Sequence, residues 1–494
     1  MKISKNRRTL IVSLIFINFA LLFLIFNYVF ALDVNPVRAH VLKDEAFLEQ
    51  QRNDFVSTAL KSNTFSNGVN RTVLQNGLTV IHSEKHSLPI VMVTLLVKAS
   101  PLNEPQEKAG LANLTAELLT EGTKNRKSSD ISEEIEFIGA SLNASAGKDY
   151  TVITLSVLKK DIHKGFELFS DILLHPVFPQ NEIEREKGLI KGSLRQREEE
   201  PSFLAERAFK REVFGEHPYG RLVEGSTETI DNIKREDMIK FYSDYFLPNN
   251  SILSIVGALT ANELNSLIEK YLGEWKNVEL PYNPPLPPFS KGGLGGFSDG
   301  KKIKKVIKID KDLTQATIIL GHFGISRDNP DFYAVSVMNY ILGGGGFSSR
   351  LMQSIRDEMG LAYDVHSFFS SHKQGGIFQI GVQTKNDSAN IVIDEIRRQM
   401  NRIREEKVSD EELSDAKSYL TGSFPRRLDT NRKIADFLAT IEFYSLGLDY
   451  VEKYPGYINS VTKDDILKVA RKYLYPEHYI LVVVANQEKA MVRQ

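Results

Sequence analysis

The feature that most constrains this chain is that its C-terminal half repeats a pattern from its N-terminal half. Asp237-Met238-Ile239-Lys240, Tyr245-Phe246-Leu247-Pro248 and the apolar run 253–257 close the first half. Asp465-Ile466-Leu467-Lys468, Tyr473-Leu474-Tyr475-Pro476 and the run 481–485 close the second, at a constant offset of 228. A period this long means one folded unit duplicated. Between the copies, residues 283–300 form a linker: Pro284, Pro285, Pro287 and Pro288 follow Pro281 and precede Gly292, Gly293, Gly295, Gly296 and Gly300. Such a stretch cannot pack a core. The expected organisation is a leader at 1–31, a lead-in at 32–70 with a short helix at 43–62, one unit at 71–282, the linker, and a second unit at 301–491.

With 494 residues, 42% hydrophobic and 25% charged, the chain can build both cores. A net charge of −1 gives no basic surface for nucleic acid. The absence of cysteine excludes disulfides, thiolate metal sites and cysteine catalysis. Lys2, Lys5, Arg7 and Arg8 precede an apolar run at 9–31 ending in Val29-Phe30-Ala31. A basic flank before such a run directs export. The run fits either a cleaved signal or a retained membrane anchor. The bulk is therefore expected outside the cytoplasm, periplasmic or anchored, with membrane contact only through 9–31.

Each unit mixes strands and helices. Gln75-Asn76-Gly77 reads as a hairpin turn between 72–74 and 78–82, and 90–97 is a β-rich apolar run. Strands are expected at 141–146 and 149–158, helices at 130–139, 160–174 and 180–199. In the second unit, strands at 306–309 and 315–323 precede a helix at 331–342. The fold class is α+β: two tandem units, each a mostly antiparallel mixed sheet with helices packed on it.

Residues 109–123 read as a helix ended by Gly122, with Leu111, Leu114, Leu118 and Leu119 on one face and Asn113, Ala116, Glu117 and Thr120 on the other. A catalytic zinc needs three protein ligands and an open position for water. Asn113 offers a neutral amide, Ala116 cannot take a proton, and Glu117 reads as a partly solvated helix carboxylate. The pairs His82/His86 and His366/His372 sit at strand ends and turns, where the rings diverge.

The frame Gly-Leu-Ala-x-x-x-x-x-x-Leu-x-x-Gly-Thr resembles the active-site helix of the insulinase/pitrilysin zinc peptidases, whose H-x-x-E-H supplies two zinc ligands and the base. Laid over this sequence, the two histidines fall on Asn113 and Glu117 and the base on Ala116. The family's third ligand, a Glu on a later helix, falls on Ser193, with Glu198, Glu199 and Glu200 read as a solvated helix end. Gly192-Ser193 has a counterpart in Gly422-Ser423 of the second half, which never carries zinc in this family. The resemblance implies no metal in this chain and a clam-shell half built from both units.

Four glycines, Gly343 to Gly346, lead into Phe347-Ser348-Ser349-Arg350 without the Lys-Ser/Thr of a P-loop, and read as a flexible loop between helices. Arg356 and Tyr363, in the spacing Arg-x-x-x-x-x-x-Tyr with Gly360-Leu361-Ala362 before the tyrosine, look like the family's second-half signature. There the pair binds substrate backbone and the developing oxyanion; a guanidinium and a phenol suit that task. Spacing alone favours an ion pair of Arg356 with Asp357 or Glu358 and a half-buried core Tyr363; the added match at Gly360-Leu361-Ala362-Tyr363 favours the substrate-binding reading. Some family members are heterodimers in which a zinc-less subunit contributes this pair. The resemblance thus implies a zinc-less, peptide-binding subunit whose catalytic H-x-x-E-H paralogue holds the zinc. The alternatives are an autonomous metallopeptidase with unusual ligands, or a structural or peptide-holding protein without a catalytic partner.

Overall fold

Strands buried on both faces set the architecture. The computed structural model describes residues 68–281 and 304–493. The 1–31 leader, the lead-in to residue 67 with its expected helix at 43–62, and the 283–300 linker lie outside the described residues. Eleven strands are described: β1 (Val69–Val73), β2 (Thr79–Glu84), β3 (Ile90–Val97), β4 (Ser141–Ala146), β5 (Thr151–Leu158), β6 (Ser251–Gly257), β7 (Lys305–Asp310), β8 (Gln315–Phe323), β9 (Ala362–Ser371), β10 (Gly376–Lys385) and β11 (Ile480–Ala485). They form two sheets, ordered β1-β2-β6-β3-β5-β4 and β7-β11-β8-β10-β9. In the first, β2 and β6 are parallel and the other pairs antiparallel; in the second, β7 and β11 are the parallel pair. Strand for strand, β7-β11-β8-β10-β9 reproduces β2-β6-β3-β5-β4. The mixed, mostly antiparallel sheets agree with the α+β reading.

Ten helices matter for the packing: α1 (Leu111–Glu117), α2 (Ile162–Leu174), α3 (Gln180–Arg197), α4 (Pro201–Phe214), α5 (Arg235–Tyr245), α6 (Ala261–Leu272), α7 (Phe332–Asn339), α8 (Ala389–Glu405), α9 (Asn431–Phe443) and α10 (Lys463–Tyr473). Helices α1, α2, α5 and α6 cover one face of the first sheet, where Leu114, Phe166, Phe169, Phe241 and Leu267 meet Val93, Leu95, Leu155 and Ile255. Helices α7, α8 and α10 cover the corresponding face of the second sheet.

The remaining faces are covered by exchange. Helix α4 of the first half lies across the second sheet, setting Phe209 and Val213 against Ile319, Ile377 and Val482. Helix α9 of the second half lies across the first sheet, setting Ile434 and Leu438 against Met92, Leu96, Ile252 and Val256. Each sheet is therefore sandwiched, which is why β11 reads as an unbroken apolar run and β3 as one interrupted only by Thr94, while the more marginal β5 alternates. Full burial of Phe209 alone contributes about 2–3 kcal/mol. Polar contacts follow the same crossing: Thr94 Oγ1 donates to Asp436 at 2.7 Å, and Arg71 pairs with Glu442 at 2.8 Å.

A buried carboxylate ties the halves at one more point. Asp149, in the turn between β4 and β5, is 8% exposed. It accepts from the hydroxyl of Tyr219, from that of Tyr444 at 2.9 Å and from the backbone N–H of Lys373 at 3.2 Å; His372 Nδ1 lies 3.6 Å away. Tyr219 also accepts from the N–H of Gln374 at 3.3 Å. Burial pushes the Asp149 carboxyl up, but the His372, Tyr219 and Tyr444 contacts outweigh it and hold the group below the usual carboxylate range.

Candidate functional site

Helix α1 starts where backbone meets backbone. Gly110 has φ +103° and Gly225 φ +82°; a Cβ on Gly110 would stand 2.6 Å from Glu224 O, and one on Gly225 2.1 Å from Ala109 O. Both positions need glycine because no side chain fits the approach. The N–H groups of Gly110 and Ala112 donate to Glu104 at 3.1 and 2.9 Å, placing a carboxyl at the positive end of the helix. Burial pushes Glu104 up to about 7 against those two hydrogen bonds.

On the α1 face that carries Asn113, Ala116, Glu117 and Thr120, the first two are buried and the last two half-buried. Asn113 is 6% exposed and Ala116 fully covered, because edge strand β4 and helices α3 and α5 pack around α1. Helical order ends at Glu117 and continues as a 3-10 turn over Leu118–Thr120. Glu117 as a whole is half-buried, in keeping with its reading as a partly solvated carboxylate, but its Oε2 is enclosed without a hydrogen bond of normal geometry, as is Asn113 Nδ2. Burial, then the neighbouring Glu186, push Glu117 up to about 7; the nearby Asn113 amide pulls the other way, and Glu224 adds a smaller upward push. The α3 side chain facing Glu117 is thus Glu186. Ser193, two turns further along, is exposed.

Chemically this is one carboxyl, Glu117, that is pushed up to about 7, beside the Glu186 side chain, a neutral amide and a methyl group. It does not fit zinc. A cation would have to displace the Glu117 proton, a neutral amide oxygen is a weak ligand, and no base stands at Ala116. No cluster of three or more His, Cys, Asp or Glu side chains among the described residues is placed to hold a metal. Because folding raises the Glu117 pKa, its stabilising contribution is complete below about pH 4.3 and is lost as pH rises through 7. Glu117→Gln, neutral throughout, is expected to be about 1–2 kcal/mol more stable than the parent at pH 8 and little changed at pH 4, read by thermal melts at the two pH values.

The histidines scatter. His82 is buried on β2 and contacts Leu259 O at 2.8 Å, whereas His86 is beyond the strand beside Glu84 at 2.6 Å. His366 sits with Asp364, and His372 belongs to the Asp149 network.

In the second half the structure brings Arg356 and Tyr363 together, with a third residue that the sequence reading passed over. The Arg356 guanidinium carbon lies 4.5 Å from the Phe347 ring centroid and 5.4 Å from that of Tyr363. Phe347 is 69% and Tyr363 86% exposed. Asp357 is 3.8 Å from Arg356 Nη1, too far for a hydrogen bond. The glycine run is not simply a flexible loop. Gly343 and Gly344 end a π-helical turn over Tyr340–Gly344, and a Cβ on either would come within 2.6 Å of Ser367 Oγ or Asn339 Nδ2. Arg356 itself lies in a second π-helical stretch, Met352–Glu358. Two such widened turns flanking one loop are uncommon outside functional sites. Arg350, just after the loop, is fixed by Glu412 at 2.6 and 2.9 Å.

Tyr363 stands at the start of β9, an edge strand of the second sheet, and its counterpart β4 is an edge strand beside α1. The architecture is thus two α/β sandwiches with exchanged helices, a buried helix α1 in the first half and an Arg/Tyr pair in the second. The insulinase family model (peptidase family M16) matches residues 79–227, and the model of the peptidase M16 inactive domain matches 232–420. The chain belongs to the insulinase, or M16, family. It is similar to an uncharacterized zinc protease of Rickettsia felis, 28% identical over 82% of this chain and 94% of that one. It is equally similar, at 28% over 84% of this chain and 93% of the other, to a non-peptidase homolog, YmxG, of Helicobacter pylori. A crystal structure described as a peptidase M16 inactive domain from Pseudomonas fluorescens superposes with a TM-score of 0.75, at 26% identity over 84% of this chain and 98% of that one.

Proposed function

We propose that this chain is the non-catalytic, peptide-binding subunit of an exported M16 peptidase, working with a paralogue that carries H-x-x-E-H and its zinc. The observation that carries the reading is an asymmetry. The first half has Asn113, Ala116 and a protonatable Glu117 where the family keeps ligands and base, while the second half keeps Arg356 with its guanidinium carbon 5.4 Å from the ring of an exposed Tyr363. The similarity to a non-peptidase homolog supports the first part. Edge strand β4, Ser-Leu-Asn-Ala-Ser-Ala, supports the second: it has no charge or proline to block an added strand and lies beside α1. The substrate class is an extended, unfolded peptide.

The test is a cleavage assay on an unfolded peptide with this chain, the paralogue, and the two combined. The expected result is turnover by the pair and none by this chain. Full activity of this chain alone overturns the proposal.

A further inference from the structure

Arg356 is held in an unusual way. Its guanidinium is bracketed by two aromatic rings from different elements: Phe347 from the glycine-hinged turn Gly346–Ser348 and Tyr363 from the start of β9. Both rings are largely exposed, although large apolar side chains normally turn inward. The side chain of Arg356 makes no hydrogen bond to any of the described residues, so its N–H edge is uncommitted. Two nearby rings restrict where the guanidinium can lie, and a guanidinium with free N–H donors can take a carboxylate through two parallel N–H···O bonds. A carbonyl can use only one of those donors at a time.

We infer that Phe347, Arg356 and Tyr363 form a carboxylate receptor that gives the bound peptide its specificity, with Phe347 as a positioning residue for the guanidinium. This rests on the reading of the chain as a peptide-binding subunit. The ligand is a carboxylate of an extended peptide, supplied either by an acidic side chain or by a free C-terminus. Among the described residues the anionic neighbour of Arg356 is Asp357, and at 3.8 Å it does not satisfy the guanidinium.

The experiment measures Kd by fluorescence anisotropy for the full chain with four labelled peptides of one parent sequence. One is neutral and amidated, one carries an internal Glu, one the matching internal Gln, and one a free C-terminus. The expected result is that at least one acidic peptide binds about tenfold tighter than its neutral partner, a preference that falls at high salt. Whether the Glu peptide or the free-carboxylate peptide gains identifies the source. In Phe347→Ala, and in Phe347→Leu, which keeps apolar bulk without a ring face, the acidic-to-neutral ratio is expected to fall several-fold; a purely structural Phe347 would weaken all four peptides alike. Equal affinity for acidic and neutral peptides, or an unchanged ratio in both variants, overturns the inference while leaving peptide binding intact. Binding of none of the four overturns the peptide-binding reading and the inference with it.

Discussion

Replacing Asp149 with alanine is expected to destabilise the protein by about 4 kcal/mol, measured by urea unfolding at neutral pH. The substitution deletes the acceptor shared by Tyr219, Tyr444 and the Lys373 N–H, leaving buried donors from both halves without a partner. Asp149→Asn keeps one acceptor oxygen and should lose less. The pH dependence follows from the direction of the shift. Folding lowers the Asp149 pKa, so its contribution is present above the ordinary aspartate value of about 3.9 and disappears as pH falls through the folded value. Parent and Asp149→Asn curves should therefore converge in acid. A parallel offset at all pH values would mean that Asp149 matters only for packing.

Arg356→Ala is expected to reduce kcat/KM of the reconstituted pair by roughly a hundredfold, the scale for losing a charge-assisted, bidentate contact to the bound peptide. A fall confined to kcat assigns the guanidinium to the transition state, whereas a rise in KM alone assigns it to ground-state peptide binding. Arg356→Lys restores charge but not the planar fork, and should recover little. Because Arg356 borders exposed rings and stabilises no core cluster, its loss should leave the unfolding midpoint nearly unchanged. A hundredfold loss accompanied by a collapsed midpoint would contradict that placement.

Much of the fold was legible because burial leaves a period in the sequence. The runs at 90–97, but for Thr94, and 481–485 are apolar since both faces are covered, and the recurrent Asp-x-x-Lys and Tyr-x-x-Pro signatures mark α5 and α10 with the turns after them. The frame around Gly110 was legible because Gly110 must lie against Glu224. What was hidden depends on how elements cross. Glu186 and Ser193 share a face of α3, seven residues apart, so spacing alone cannot say which one stands opposite Glu117; the packing of α3 on α1 chooses Glu186. The amphipathic pattern of α4 shows that it buries a face, not that the face belongs to the other half's sheet. Gly343 and Gly344 looked like slack because nothing local reveals Ser367 and Asn339 pressing on them. Phe347 was passed over because its role comes from Arg356, nine residues on, and not from its own neighbours.

The exchange of α4 and α9 has a consequence for how such a chain can change over generations. A duplicated unit that has lost its chemistry is ordinarily free to be deleted. Here the inert first half supplies the lid over its sibling's sheet and receives its own lid in return, so dropping either copy would strip an apolar face bare in the one that stays. Helix α1 can change residue by residue, while the scaffold that carries it is retained for the packing of both sheets.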